Sequence, residues 1–230
     1  MFSDFDFSII TDSLGYLFLR GMSVTLSLTV LATLGGILLG TLLALARLSS
    51  IRALSAAASA YVNIMRSLPL LLVIFWFYFL VPFVAGWVTG ASRPVPVGGF
   101  SSALITFTLF EAAYFCEIVR AGIQSVSKGQ LAAGLALGMS QRQVMGSVVL
   151  PQAFRNMVPL LLTQTIVLFQ DTSLVYVVSL TDFLGAAAKI AHRDGRMVEL
   201  YLFAALIYFV ISFIASTLVK RLQTKMAAGR

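Results

Sequence analysis

The chain has 230 residues, 59% of them hydrophobic and only 11% charged, with a mean hydropathy of +0.95 and a formal net charge of +7. A single cysteine, Cys116, and a single histidine, His192, exclude an internal disulfide and a multi-cysteine metal cluster, and argue against a histidine-based catalytic or metal centre. The positive charge does not by itself point to nucleic acid, because in so apolar a chain its distribution between loops carries the meaning.

Apolar runs of roughly 20 residues recur, the length that crosses a bilayer as a helix. They lack the two-residue alternation of barrel strands, so an all-α integral membrane protein is expected. The N-terminal MFSDFDFSII carries Asp4 and Asp6 and no basic stretch, so it does not read as a cleavable signal. Five spans follow, near residues 22–46, 60–84, 101–119, 157–180 and 200–220. The first contains Gly36 and Gly40, a Gly-x-x-x-Gly pair that permits close helix packing. The second opens with MRSLPLLL, where Pro69 marks a kink or an offset entry, and holds the cluster FWFYF, read as lipid-facing or core bulk. The Gly- and Pro-rich AGWVTGASRPVPVGG reads as an irregular loop, and KIAHRDGR as an outer loop with His192 solvated.

With the N-terminus outside, eleven basic residues fall on the cytoplasmic side: Arg47, Arg52, Arg66, Arg120, Lys128, Arg142, Arg155, Lys220, Arg221, Lys225 and Arg230. Five fall outside: Arg20, Arg93, Lys189, Arg193 and Arg196. Asp4, Asp6, Asp12, Asp182, Asp194 and Glu199 are also outside. The positive-inside rule therefore selects N-out, C-in.

That orientation puts QLAAGLALGMSQRQVMGSVVLPQAFR in the cytoplasm, between the third and fourth spans. Ser127 with Gln130, and Ser140 with Gln143, match the capping box at two helix starts. Gly138 stands where a left-handed residue ends the first helix, and Pro151 is expected to stop the second near Leu150. On composition alone the hairpin could lie on the inner membrane surface, although its few basic residues weaken that reading.

AAGLALG, nine further residues and VVLP resemble the EAA loop of bacterial ABC importer permeases, Glu-Ala-Ala, three residues, Gly, nine residues, Ile-x-Leu-Pro. The matching positions are Ala132, Ala133, Gly134, Gly138, Val148, Leu150 and Pro151; Ala132 replaces the usual glutamate, removing an ion pair the family can make with its ATPase. MRSLPLLL, EAAYFCEIVRAGIQSVSKGQ, LPQAFRNMVPLLLTQ and LFQDTSLVYVVSL resemble further elements of polar amino-acid permeases, and those of glutamate and aspartate uptake in particular. The resemblance implies the type I importer permease fold, with the loop as a coupling helix docked on an ATP-hydrolysing subunit through Ala132, Ala133, Gly134, Gly138, Arg142, Leu150 and Pro151. It implies, as partners, a second permease chain (related but different), an ATPase dimer that binds the ATP and Mg, and a periplasmic solute-binding protein, all at the bacterial inner membrane. The chain itself holds no Gly-Lys dipeptide and so no P-loop, no cofactor is expected in it, and it reads as a transport subunit, not an enzyme. Residues 1–20 are then a periplasmic or interfacial segment, 21–220 the transmembrane domain and 221–230 a cytoplasmic tail.

Ionisable groups inside a span usually face a cavity or a partner. Glu117 and Arg120, three apart on one helix face, read as a local ion pair near the cytoplasmic exit. Gln164, Gln170, Asp171, Thr172 and Ser173 crowd the fourth span near mid-membrane, and Gln164 and Asp171 lie nearly two turns apart. An amino-acid zwitterion needs donors for its carboxylate and an acceptor for its ammonium, so these five residues are expected to line the substrate pathway, with Glu111 lining it or bonding a neighbouring helix. Polar residues also hold membrane helices together, and one alone would be read that way. No arginine falls deep in a span, which leaves recognition of a substrate's side-chain carboxylate without a residue. Permeation of glutamine or a basic amino acid stays open. A stand-alone secondary carrier is disfavoured because five spans do not divide into equal inverted halves, and an intramembrane hydrolase because His192 has no paired nucleophile.

Overall fold

The structure, a computed structural model, describes residues 5–228; Asp4 and Arg230, both counted for orientation, lie outside the described residues. Those residues form helices and connecting turns: α1 (Ser8–Tyr16), α2 (Ser23–Arg47), α3 (Arg52–Ser67), α4 (Leu70–Thr89), α5 (Gly99–Gln124), α6 (Lys128–Ala136), α7 (Gln141–Val144), α8 (Leu150–Asp171), α9 (Phe183–Asp194) and α10 (Met197–Ala228). A π-helical turn, Leu17–Met22, joins α1 to α2, so one helical stretch runs from Ser8 to Arg47 and the expected boundary at residue 20 marks no break. The helix of the last span likewise continues to Ala228, past residue 220. Five stretches are long and apolar enough to cross a membrane: Ser8–Arg47, Leu70–Thr89, Gly99–Gln124, Gln141–Val178 and Met197–Met226.

The most deeply buried of these is α5, whose Phe107, Glu111, Ala112, Ala113, Phe115 and Cys116 are all inaccessible. It packs closely on α2. A Cβ placed on Gly40 would lie 2.8 Å from the Ala112 carbonyl oxygen, and one on Gly36 would lie 3.0 Å from the Phe115 ring. Lipid tails are as apolar as leucine, so close backbone approach of this kind is what draws membrane helices together.

The second span starts ten residues later than its sequence implied. Leu68 (ψ 139°) and Pro69 (ψ 129°) are extended and separate α3 from α4. The proline ring disfavours helical backbone at the residue before it. The preceding AAASAYVN, short and weakly apolar, belongs to α3, which buries only Ala58 and Val62. Within FWFYF, Trp76 and Phe79 are exposed while Phe75 and Tyr78 pack on the core, so the cluster serves both expected roles.

Pro151 does not stop the arm's second helix. The backbone from Gln141 to Asp171 is helical throughout, with a π-helical segment, Met145–Val149, directly before the proline. The Leu150 N–H bonds the Met145 carbonyl five residues back. This widened turn absorbs a ring that would clash with a regular i−4 carbonyl.

At the opposite end of the molecule, KIAHRDGR is not a loop: its first six residues form the second half of α9, with His192 exposed in its last turn. Asp182 caps α9, accepting from Leu184 N at 3.1 Å and Gly185 N at 2.9 Å. The Phe183 N–H donates to Thr25 Oγ1 at 3.0 Å, tying α9 to α2. Leu17, Phe169, Phe183, Ala187 and Leu200 form the core there.

Valine at Gly40 is expected to lower stability by about 1–3 kcal/mol through overpacking of α2 on α5, read as a lower unfolding midpoint in detergent; an unchanged midpoint would mean the two helices do not meet there. Burial pushes the Asp182 carboxyl up from its ordinary 3.8 to about 6. Folding therefore favours the protonated form, and the associated stability is fully present below pH 4 and lost as pH rises through 6, by up to about 3 kcal/mol. The unfolding midpoint should fall over that interval in the parent and stay flat in Asp182→Asn, which keeps the cap's acceptor.

Candidate functional site

Glu111, on the third span, is fully buried, yet its carboxylate reaches one polar side chain of the fourth span. The Gln164 amide donates to Glu111 Oε2 at 3.0 Å and to Oε1 at 3.4 Å. Both line a cavity of about 360 Å³ together with Asp171, Tyr114, Phe110 and the extended Leu68–Pro69. That volume lies toward the lower end of small-molecule sites, about 300–1,000 Å³. The seven-residue spacing of Gln164 and Asp171 brings them to one wall because α8 remains regular between them.

The rest of the polar cluster turns elsewhere. After Asp171 the helix tightens to a 3₁₀ segment, Thr172–Val178, in which Leu174, three residues on, stays on the cavity wall while Thr172 and Ser173 do not. Thr172 is buried and donates to the Phe169 carbonyl at 2.7 Å. Gln170 and Ser173 line a separate groove against α10, with Tyr208, Ser212 and Ser216. Of the six residues expected on the pathway, the structure therefore brings together Glu111, Gln164 and Asp171. Tyr114 and the Leu68–Pro69 wall were missed by sequence reading; the signal available was the proline, which opens the chain at that level.

Towards the α6 end, Glu117 is held by more than its expected neighbour. Arg47 lies at 2.5 Å, Arg120 at 2.6 Å and Arg66 at 3.4 Å, so the ion pair is a cluster joining α2, α3 and α5.

Beyond it projects the α6–α7 arm. Ser127 caps α6 by accepting from Gly129 N at 3.2 Å, and Ser140 with Gln143 completes a reciprocal capping box. Gly138 takes the left-handed conformation (φ +81°), and the Met139 N–H bonds the Gly134 carbonyl at 3.1 Å, closing α6. A Cβ on Gly134 would lie 2.6 Å from Val144 Cγ2, so that glycine lets the two limbs touch. Ala132, Ala133, Gly138, Arg142, Leu150 and Pro151 are exposed, and the tip residue Leu137 is 83% exposed. The arm is thus a capped elbow with an exposed apolar face.

The family described as binding-protein-dependent transport system inner membrane component matches residues 36–228. The glutamate/aspartate import permease protein GltK of Escherichia coli O6:H1 is 54% identical over 224 residues, covering 97% of this chain and 99% of that protein. The L-cystine transport system permease protein TcyB of Bacillus subtilis (strain 168) is 37% identical over 197 residues, 85% and 80% of the two chains. A crystal structure of an amino acid ABC transporter with histidines matches with a TM-score of 0.85 and 32% identity, covering 96% of this chain and 98% of that one. With five spans in this order, the chain belongs to the binding-protein-dependent inner membrane component family and is a multi-pass permease subunit of an ABC transporter of the bacterial inner membrane.

Proposed function

We propose that the chain conducts small polar amino acids inward, glutamate and aspartate foremost, with energy supplied by a separate ATPase. The observation that carries the reading is the cavity in which Glu111 and Asp171 share a wall with Gln164. Two carboxylates and an amide at that depth suit a substrate ammonium. The acidic choice of substrate draws on the 54% identity with a glutamate/aspartate permease over nearly the full chain. A basic amino acid is the second reading, favoured by the two carboxylates of the same cavity.

Permeases of this family work with an ATP-binding subunit, a solute-binding protein and a second permease. In the arrangement we propose, the chain lies N-out and C-in, with 21–220 as its transmembrane domain, and pairs with a related but different permease. The exposed Ala132, Ala133 and Leu137 of the arm fit a groove on the ATPase dimer, which binds ATP and Mg, and α9 faces the binding protein. Because Gln141–Asp171 is one continuous helical rod, a push on the arm shifts Gln164 and Asp171 with it.

Glu111→Gln and Asp171→Asn are each expected to lower glutamate uptake into vesicles at least tenfold while the membrane complex still assembles. Parental uptake by both variants would remove the cavity from the pathway. Lysine uptake by the parent that exceeds its glutamate uptake, and that both variants lose, would instead favour the basic substrate. Aspartate at Gly138 meets no neighbouring atom there, and its side chain tolerates left-handed backbone better than most, so the elbow should survive at a cost of about 1–2 kcal/mol. Gly138→Asp should nevertheless abolish transport with the chain still in the membrane, and normal uptake would rule out docking through the elbow.

A further inference from the structure

Among the described residues the cavity walls offer carboxylates, an amide and a phenol, but no cation, although any amino acid brings at least one carboxylate to be held. The nearest cationic chemistry is the Glu117 cluster, whose three arginines are not equivalent. Arg47 and Arg120 hold Glu117 at 2.5 and 2.6 Å with side chains 13% and 31% exposed. Arg66 stands off at 3.4 Å and its side chain is 42% exposed. Two guanidiniums already satisfy the one carboxylate, so the third carries surplus charge.

Arg66 is also the arginine placed against the cavity. Its guanidinium carbon lies 5.5 Å from the centre of the Tyr114 ring, and Tyr114 lines the cavity with Glu111 and Asp171. Along the chain, Arg66 precedes by two residues the extended Leu68–Pro69 that forms another part of the same wall. Arginine is the side chain suited to the task, since its planar fork grips a carboxylate with two parallel hydrogen bonds. It lies within cation–π range of Tyr114, and its longer pairing with Glu117 leaves it the most exposed of the three guanidiniums.

We propose that Arg66 is a carboxylate-binding residue for the transported amino acid, at the α6-end rim of the cavity, with Glu111 and Asp171 taking the ammonium. Moving from Glu117 to the substrate leaves Glu117 paired with Arg47 and Arg120, so the exchange leaves no charge bare. The inference rests on the cavity being the substrate site.

The test is equilibrium binding of labelled L-glutamate to the complete membrane complex, with L-glutamine as a competitor that lacks the side-chain carboxylate. Arg66→Gln is expected to weaken glutamate binding at least tenfold, and Arg66→Lys, which keeps the charge without the fork, to weaken it less. If only the preference for glutamate over glutamine disappears, Arg66 holds the side-chain carboxylate. If both ligands weaken alike, it holds the α-carboxylate. Glutamate affinity within twofold of the parent in Arg66→Gln overturns the proposal. So does an equal loss in Glu117→Gln, because Arg66 would then act only through the ion cluster. Parental binding by Glu111→Gln and Asp171→Asn, or no binding by the parent complex, defeats the cavity reading itself and the inference with it; loss in those variants with Arg66→Gln unaffected defeats the inference alone.

Discussion

The approach of α2 to α5 through Gly36 and Gly40 determines where the other helices can go. With no hydrophobic force between helices in lipid, contact at backbone distance supplies dispersion that bulkier side chains would prevent. The contact holds α5 in the middle of the described chain, with Phe107 and Phe115 filled in around it. A central helix can present polar groups to several neighbours at once. Glu111 meets α8, and Glu117, six residues and about 9 Å further along the axis, meets α2 and α3.

These two glutamates are satisfied very differently. Glu117 has three guanidiniums, so its charge is compensated within the fold. Glu111 is fully buried with an amide as its hydrogen-bond donor. A charged residue at helix mid-span costs about 2.5–3.5 kcal/mol on insertion scales. An interhelical hydrogen bond returns about 0.6 kcal/mol on average. Holding α5 to α8 could be done by a serine or a glutamine, and the pathway proposed above gives the carboxyl group of Glu111 a transient partner beyond that contact. A substrate ammonium, present transiently, meets that description.

The five spans were legible in the sequence because long apolar runs have no alternative fate in a bilayer. Their edges were less so. Ala60 and its neighbours count as apolar yet bury little, and the entry of the second span is fixed by Pro69 instead. For α9 the signals were present, an N-capping Asp182 and a left-handed Gly195 after its last turn, but its charged residues made it look like loop. In the candidate site, helical spacing alone placed Gln164 and Asp171 together. Gln170, Thr172 and Ser173 do not line the same cavity, because nearness in sequence says nothing of azimuth. The nearness of Arg66 to the cavity-lining Tyr114 was invisible for the same reason as the span edge: only the extended Leu68–Pro69 reveals how close the end of α3 comes to Tyr114.

Irregular backbone within a membrane protein is tolerated where protein covers it or a cavity adjoins it. The chain follows that rule at Leu68–Pro69, which walls the cavity, and at the 3₁₀ turn that begins beside Asp171. Pro151 is the instructive case. Had it broken the helix, the arm and the fourth span would have been hinged, and a force on the elbow would dissipate at the hinge. The π-helical turn before it keeps the hydrogen-bonded backbone continuous from Gln141. From there to Gln164 is 23 residues, or about 35 Å of helix at 1.5 Å per residue. A rod of that length converts a small rotation of the arm into a displacement of the amide that holds Glu111. Under the proposed function, coupling between the arm and the cavity would run along this one hydrogen-bonded helix, whose π-helical turn and interior Pro159 are the places where it could bend.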